Sequence, residues 1–443
     1  MRPRQHPITN PALHTALQRT GWTYAEAADA VRQVAAENAE QLGCDASTIG
    51  HWLTGRTPRP DVRPFVVEAF ARRLHEPYLT ARDLGWPEPP SPIPADPWHG
   101  DPADLLAALG ADDMLHRRDA LAAGAYALAA LTLPTTTATA TTRTGRTRVG
   151  PADAARIRAT TAHLGDLDHR FGGGYIRPLI GAVITGHVTP LLHAATGHGR
   201  ADVFAAAAEL AYLAGWANAD DRRDAAAQRY YIQAVRLADE AADPVMRASA
   251  LRSLATQAIE LGHARPGLDL ADAAADTAKG RCTVRTWAWI EGMQAEAHAA
   301  VGEAHAACQA LRLAERDVDR ADSQTGVAGG YVPASLQHQT GLALADLGDY
   351  AGAETHLAAS VRTRAPHEHR TRALIGLRLA DVQLRRGRPA EAAATVRGLT
   401  DDLDLVDCAR VTHALADLRT AWQPHRATEP VVAHVDQHIA RHP

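Results

Sequence analysis

The chain has 443 residues, room for two or three domains, and its net charge of −5 with a pI near 6.5 excludes a histone-like binder of bulk nucleic acid. Cys44, Cys282, Cys308 and Cys408 form no C-x-x-C pair, which argues against a disulfide scaffold or zinc knuckle and fits reduced thiols in a cytoplasmic protein. Alanine and leucine are abundant and aromatics make up only 5%, so an all-α chain is expected. MRPRQHPITN lacks the apolar run of a secretory signal. The most apolar stretch, Ala120 to Leu133, falls short of the roughly 20 residues a bilayer span needs, so no membrane partner is expected.

In chain order, Asn10 to Arg19 is predicted as a first helix, with Asn10 as cap and Pro11 in the first turn. Gly21 and Trp22 break it. Thr23 and Glu26 form a capping box, and AEAADAVRQVAAENAEQ reads as one helical run to Gln41. Gly43-Cys44 then turns into DASTIGHWLTGRTPRP, Asp45 to Pro60. There Asp45 caps a short helix whose Ile49, Trp52 and Leu53 share one apolar face. Gly55 supplies a left-handed end, and Pro58 and Pro60 forbid continuation. Ser47, Thr48, His51 and Thr54 are left off the packed face, with Arg56 and Arg59 just beyond. Pro64 to Leu74 is amphipathic, and Thr80 to Trp86 adds a closing turn.

Residues 21–60 resemble the helix-turn-helix of Xre/Cro-type repressors, whose motif ends in a similar Thr-Ile-x-x-Trp-x-x-Gly; here it is Thr48-Ile49-Gly50-His51-Trp52-Leu53-Thr54-Gly55. The resemblance implies a double-stranded DNA operator, with Ser47, Thr48 and His51 at base edges, Thr54 on the same surface, and Arg56 and Arg59 on phosphates. The span from Thr23 to Ile49 is longer than in that family, so an extended scaffold helix or an extra turn is expected. A plainer reading makes Asp45–Thr54 an ordinary packing helix with solvated arginines. Lys279 is the sole lysine among 46 basic residues, and residues 1–90 hold ten arginines against ten acids, so bulk charge lends DNA binding no support.

Pro87 to Pro102 is proline-rich and reads as an extended linker. Asp101-Pro102-Ala103-Asp104 starts a helix, with helical periodicity to Leu133. Pro134 to Gly150 is polar and low-complexity, a flexible Thr/Arg-rich loop. Residues 151–200 are helical again, broken by Gly172-Gly173-Gly174. With no Lys-Ser/Thr after it, that triplet is a bend and not a phosphate loop.

From about residue 205 the chain repeats. The turn glycines Gly262, Gly302, Gly348 and Gly387 are spaced 40, 46 and 39 residues apart, and Arg222 takes the glycine's place in an earlier unit. Each unit has a small residue seven before the turn (Gly215, Ala255, Ala295, Gly341, Ala380) and another five after it (Ala227, Gly267, Ala307, Ala353, Ala392). A larger residue often follows four later, as in Tyr231, Leu311, Leu357 and Val396. Small residues where two helices cross define a helical hairpin repeat. Gly341 to Val361 closely resembles a tetratricopeptide repeat, which implies about five stacked units in a right-handed solenoid. Helices near Asp401–Trp422 and Pro430–His442 would cap it. The whole is similar to actinobacterial Xre/Cro-like transcriptional regulators with C-terminal tetratricopeptide-like repeats. That implies a cytoplasmic homodimer with domains at 1–86, 103–200 and 201–443 joined by the 87–102 linker. In such stacks the first helix of each unit lines the groove, which points Tyr212, Trp216, Arg252, Thr256, Trp289, Glu296, His338, Leu342, Leu377 and Asp381 inward. Tyr212, Trp216, Arg252, Trp289, Glu296 and His338 are the candidate contacts for a peptide or small-molecule effector. The alternative is a repeat adaptor that binds a protein partner without touching DNA.

Other constellations are thinner. His434, His438 and His442 recur at i, i+4 and i+8 and could share a metal, or be exposed imidazoles at a helix end. His163, His169, His187, His193 and His198 fit no ligand spacing. No Gly-x-Ser-x-Gly, His-Glu-x-x-His or Walker loop occurs, so no catalytic residues, metal or cofactor are expected.

Overall fold

The computed structural model describes residues 8–38, 40–76, 79–87, 96–114, 125–133, 149–197, 199–321 and 331–439. Among them the regular elements are all helical, paired in sequence as an all-α helical-repeat solenoid behind an N-terminal helical unit. No helix among the described residues is long and apolar enough to cross a membrane.

In α1 (Pro11–Thr20), the Asn10 side chain accepts the Leu13 N–H at 3.1 Å and donates to the Leu84 carbonyl at 3.0 Å. One residue thus caps the helix and ties on the far end of the unit. In α2 (Tyr24–Glu37) the Thr23–Glu26 box forms as expected. The helix does not continue to Gln41, however. Asn38 turns its amide back to the Val34 carbonyl at 2.8 Å and accepts the Tyr126 N–H at 3.1 Å, while the Glu40 N–H closes onto Ala35 at 2.9 Å. The extra length relative to the helix-turn-helix pattern is therefore an irregular connector before Ala46. In α3 (Ala46–Leu53) and α4 (Arg63–Leu74) the apolar faces turn inward. Ile49, Trp52 and Leu53 are buried, and Trp52 meets Trp86 edge-on at 6.0 Å. The Thr80–Trp86 turn is held by Thr80 and Asp83 bonding each other's backbone.

After α5 (Pro102–Asp113) come a 3-10 turn (Leu128–Leu131), α6 (Pro151–Phe171) and α7 (Gly173–Val183). A π segment, Ile184–Val188, leads into α8 (Thr189–Ala194). The triple glycine is the bend between α6 and α7. Gly172 has φ +87°, and a side chain at Gly173 would start 2.4 Å from the Ala217 carbonyl.

The repeats follow as hairpins: α9 (Gly199–Asp220) with α10 (Asp224–Glu240), α11 (Pro244–Glu260) with α12 (Ala264–Ala278), and α13 (Val284–Ala300) with α14 (Ala304–Arg320). Then come α15 (Pro333–Asp346) with α16 (Tyr350–Thr363), and α17 (His369–Arg385) with α18 (Pro389–Arg397). The four turn glycines all have positive φ, and Arg222 adopts φ 56° at the equivalent place. The small residues sit where the hairpins close. A β-carbon on Gly215 would lie 2.4 Å from the Tyr231 ring, and one on Gly341 would lie 2.6 Å from Leu357.

Beyond α19 (Thr400–Leu405), α20 (Ala409–Trp422) and α21 (Pro430–Ile439) pack on α17 and α18. The stack does not end freely. α17 also touches α6, and α20 touches α9. Arg370 donates to Asp168 and Asp220, both at 2.8 Å, while Arg410 reaches Asp220 at 3.2 Å and Glu260. The last helices therefore close back on the first.

A strap of residues 125–133 joins the N-terminal unit to the repeats. Tyr126 is fully buried and stacks on His263 with centroids 5.8 Å apart. The Leu128 N–H bonds Glu68 at 3.1 Å, Arg72 donates to the Tyr126 carbonyl at 3.2 Å, and Ala127 and Gln228 exchange two hydrogen bonds. Burial pushes the Glu37 carboxyl up, but His263 and Arg72 outweigh it and hold the group below its ordinary range. Half of the expected linker, residues 88–95, and most of the Thr/Arg-rich loop, residues 134–148, lie outside the described residues. The linker's described end is docked, not extended. Gln233 donates to the Pro97 carbonyl at 3.0 Å, and the buried Trp98 donates to Ala130 at 2.9 Å.

Candidate nucleic-acid interface and inner helices of the repeats

The α3 surface is built by its packed side. With Ile49, Trp52 and Leu53 buried, Ser47, His51 and Thr54 are left exposed, as are Arg56 and Arg59 beyond the helix end. Thr48 is different. It is half-buried, and its hydroxyl donates to Asp45 at 2.8 Å while accepting the Asp45 N–H, so it serves the cap first. The Thr48 backbone N–H, donated to the Asp45 carboxylate at 2.7 Å, and then the Thr48 hydroxyl hold that carboxyl below its ordinary range. Thr54 donates to the His51 carbonyl at 3.1 Å, and Arg59 pairs with Asp61 at 2.9 Å. Arg63 donates to Pro58 and Pro87 carbonyls, pinning the loop that carries Arg56 and Arg59. Sequence reasoning missed Tyr24. It is 42% exposed and lies along α3, its ring 3.8 Å from where a Gly50 β-carbon would stand. The signal was Gly50 itself, a small residue in a short helix.

The inner helices of the repeats carry the candidate effector residues, most of them in separate local sets of contacts. Tyr212, Trp216 and Tyr231 form an aromatic triangle with centroids 6.1–6.4 Å apart. Ser253 donates to the Tyr212 hydroxyl at 3.2 Å. Next to Ser253, the Arg252 guanidinium lies 4.2 Å over the Trp289 ring, and its Nε–H donates to the Trp289 carbonyl at 3.4 Å. Thr256 donates to the Met293 sulfur at 3.1 Å. Glu296 accepts from Gln339 at 2.5 Å, and the Gln339 oxygen accepts from Tyr331 at 2.6 Å. Burial pushes the Glu296 carboxyl up to about 7 despite the pull of Arg252 and Gln339. Burial and the positive charge of Arg364, Arg378, Arg410 and Arg252 push His338 down to about 3. Leu342 is half-buried on the same side. Two residues expected inward are otherwise engaged. Leu377 is buried in the apolar cluster with Val396 and Trp422, and Asp381 pairs with Arg385 at 2.8 Å. Gln339 and Tyr331 were not anticipated. Gly292 marks them: it stands ten before its turn, where Tyr212, Arg252 and His338 stand in their units, and a β-carbon there would lie 2.1 Å from the Gln339 oxygen.

Glu296 carries a pH consequence. Its folded pKa lies above the ordinary carboxyl value, so its contribution favours folding fully below about 4.5 and is lost as pH climbs to about 7. Glu296→Gln is therefore expected to be close to the wild type in stability below about pH 5 and more stable than it near pH 8, by an increment on the order of 1–3 kcal/mol. Equal differences at both pH values, by scanning calorimetry, would count against this.

The histidine cluster disperses. His163 bonds its own helix, His193 pairs with Asp104 at 2.8 Å, and burial pushes His169 down to about 4. His198 and His442 lie outside the described residues, which contain no group of three or more metal-ligating side chains.

Residues 13–87 match the family described as the SP15 N-terminal domain. The match starts within α1 and ends just after Trp86, so it covers the N-terminal unit and none of the repeats. No curated protein matches the chain.

Proposed function

We propose that the chain is a sequence-specific DNA-binding transcriptional regulator whose N-terminal unit reads a duplex operator and whose repeats sense an effector. One observation carries this reading: α3 is fixed by three buried side chains and turns Ser47 and His51 outward, with Arg56 and Arg59 at its end. A short helix anchored on one side, with polar side chains on the other and guanidiniums beside it, suits a major groove flanked by phosphates. In this reading His51 and Ser47 meet base edges, Arg56 and Arg59 meet phosphates, and Tyr24 packs along the sugar edge. Arg59 exchanges Asp61 for phosphate on binding. The buried strap at Tyr126 gives the repeats a mechanical connection to the N-terminal unit.

Arg56→Ala should weaken binding to all duplexes alike and reduce the slope of log affinity against log salt by about 1. His51→Ala should instead relax sequence preference at one position. Fluorescence anisotropy across salt concentrations separates the two. An Arg56→Ala chain with unchanged affinity and slope would remove the phosphate role. The regulator is proposed to act in the cytoplasm as a homodimer, because one short recognition helix reads only a half-site. Light scattering at micromolar concentration should give the dimer mass; a monomer mass contradicts this.

A further inference from the structure

Of the eight large apolar side chains exposed among the described residues, four gather at α7 and its two ends. Tyr175 is 51% exposed and Leu179, one turn on, is 43% exposed. Met114 is 46% exposed; its Cγ lies 3.3 Å from where a Gly181 β-carbon would stand, and its sulfur accepts from the Thr185 hydroxyl at 3.9 Å. Leu405 is 48% exposed and stands two residues before Asp407, whose N–H donates to the Phe171 carbonyl at 2.7 Å where α7 begins. The Phe171 ring in turn lies 5.2 Å from that of Tyr175. Tyr175, Pro178, Leu179, Ala182 and Gly186 follow helical spacing along one exposed face. Among the exposed residues of 173–190 only His187 is an acid or a base. The arginine of α7, Arg177, is turned inward, donating to the Asp113 carbonyl at 2.8 Å and lying 3.2 Å from Asp221. The other sides of α7 are already taken by α5, α6 and α9. An apolar face of this kind on a folded chain marks an interaction surface.

We propose that this face is the homodimer contact and that the same face of a second copy covers it, the two α7 helices running antiparallel about a two-fold axis. The side chains shrink along the face, from Tyr175 and Leu179 in its N-terminal half to Ala182 and Gly186 in its C-terminal half. An antiparallel pair centred midway between Leu179 and Ala182 sets Tyr175 against Gly186 of the other copy and Leu179 against Ala182. Large meets small at both places, and the two-fold axis repeats each contact. A β-carbon on Gly186 would meet nothing within 4 Å in its own chain, so the space beside it is open to a ring from outside. The area is sufficient as well. A large side chain carries roughly 200 Å², so four half-exposed ones with the small residues between them offer on the order of 600 Å² per copy. Two copies then bury about 1,200 Å², where specific interfaces begin. A face this poor in charge is matched by its own copy without stranding a charge on either side. It carries none of the residues proposed to meet DNA.

This inference deepens the proposed homodimer and rests on that reading. Sedimentation velocity on the full-length chain, diluted through the micromolar range, measures the dimer dissociation constant. Leu179→Asp should weaken the dimer at least tenfold, and so should Gly186→Leu, which strikes nothing in its own chain. Both variants should keep the wild-type circular dichroism melt, because both positions are exposed. Adding Tyr175→Ala to Gly186→Leu exchanges the large and small positions and should bring the constant back to within about threefold of the wild type. A dimer that survives Leu179→Asp and Gly186→Leu unchanged overturns this contact and leaves the homodimer standing on another surface. A double variant no tighter than Gly186→Leu overturns the antiparallel pairing. A wild-type chain that stays monomeric overturns both the contact and the homodimer, and assigns the face to a different protein.

Discussion

Asp220→Ala is expected to destabilise the full chain by about 3–5 kcal/mol, the cost typical of removing one partner from a buried ion pair. Asp220 has no exposed surface and accepts from Arg370 at 2.8 Å and Arg410 at 3.2 Å. It belongs to α9, whereas those guanidiniums come from α17 and α20, so the carboxylate holds the two ends of the stack together. Asp168 keeps Arg370 and Glu260 keeps Arg410, so the loss is not total. Burial pushes the Asp168 carboxyl up to about 7 against the pull of Arg370, and Asp220→Ala removes the like charge that adds to that push, so Asp168 retains part of the pairing. Urea unfolding gives the size of the effect. Amide exchange should place the first loss of protection in α20. A change below about 1 kcal/mol would show that the junction is held by packing, not by charge.

Gly215→Leu is expected to cost about 3 kcal/mol or more, at or beyond the upper end of what overpacking usually does. The nearest atom to the new β-carbon is the Tyr231 ring at 2.4 Å, and Tyr231 is itself only 1% exposed. Helix propensity pulls the other way, since leucine is better than glycine in a helix by up to about 1 kcal/mol. A net loss therefore measures the crossing itself. The double variant with Tyr231→Ala should recover stability relative to Gly215→Leu, because the large side chain returns the volume the ring vacates. Additive losses in a double-mutant cycle would mean that Gly215 and Tyr231 do not form one packing unit.

Local features of the fold were legible in the sequence. The Thr23–Glu26 box, the Asp45 cap and the buried Ile49, Trp52 and Leu53 follow from short-range spacing. The hairpin register was legible too, including Arg222 at a position where the other units carry glycine. What the sequence hid is long-range. The α2 helix stops early because Asn38 is engaged by Tyr126, 88 residues away. The stack closes through Arg370 and Arg410, which are 150 and 190 residues from Asp220. No periodicity announces such pairings. The candidate sites divide the same way. The exposure of Ser47 and His51 follows from which helix face is apolar, whereas the capping role of Thr48 depends on a hydroxyl choosing Asp45 over solvent. On the inner helices, spacing placed Arg252, Trp289 and Glu296, but Gln339 entered only because Gly292 leaves room for it.

Selection from a random-sequence duplex library at low salt tests most directly whether the α3 surface reads duplex DNA as proposed. The full-length chain should enrich a single motif, and the His51→Ala chain should enrich the same motif with one position relaxed. Enrichment of no motif by the wild-type chain, or of an unchanged motif by His51→Ala, would contradict the claim.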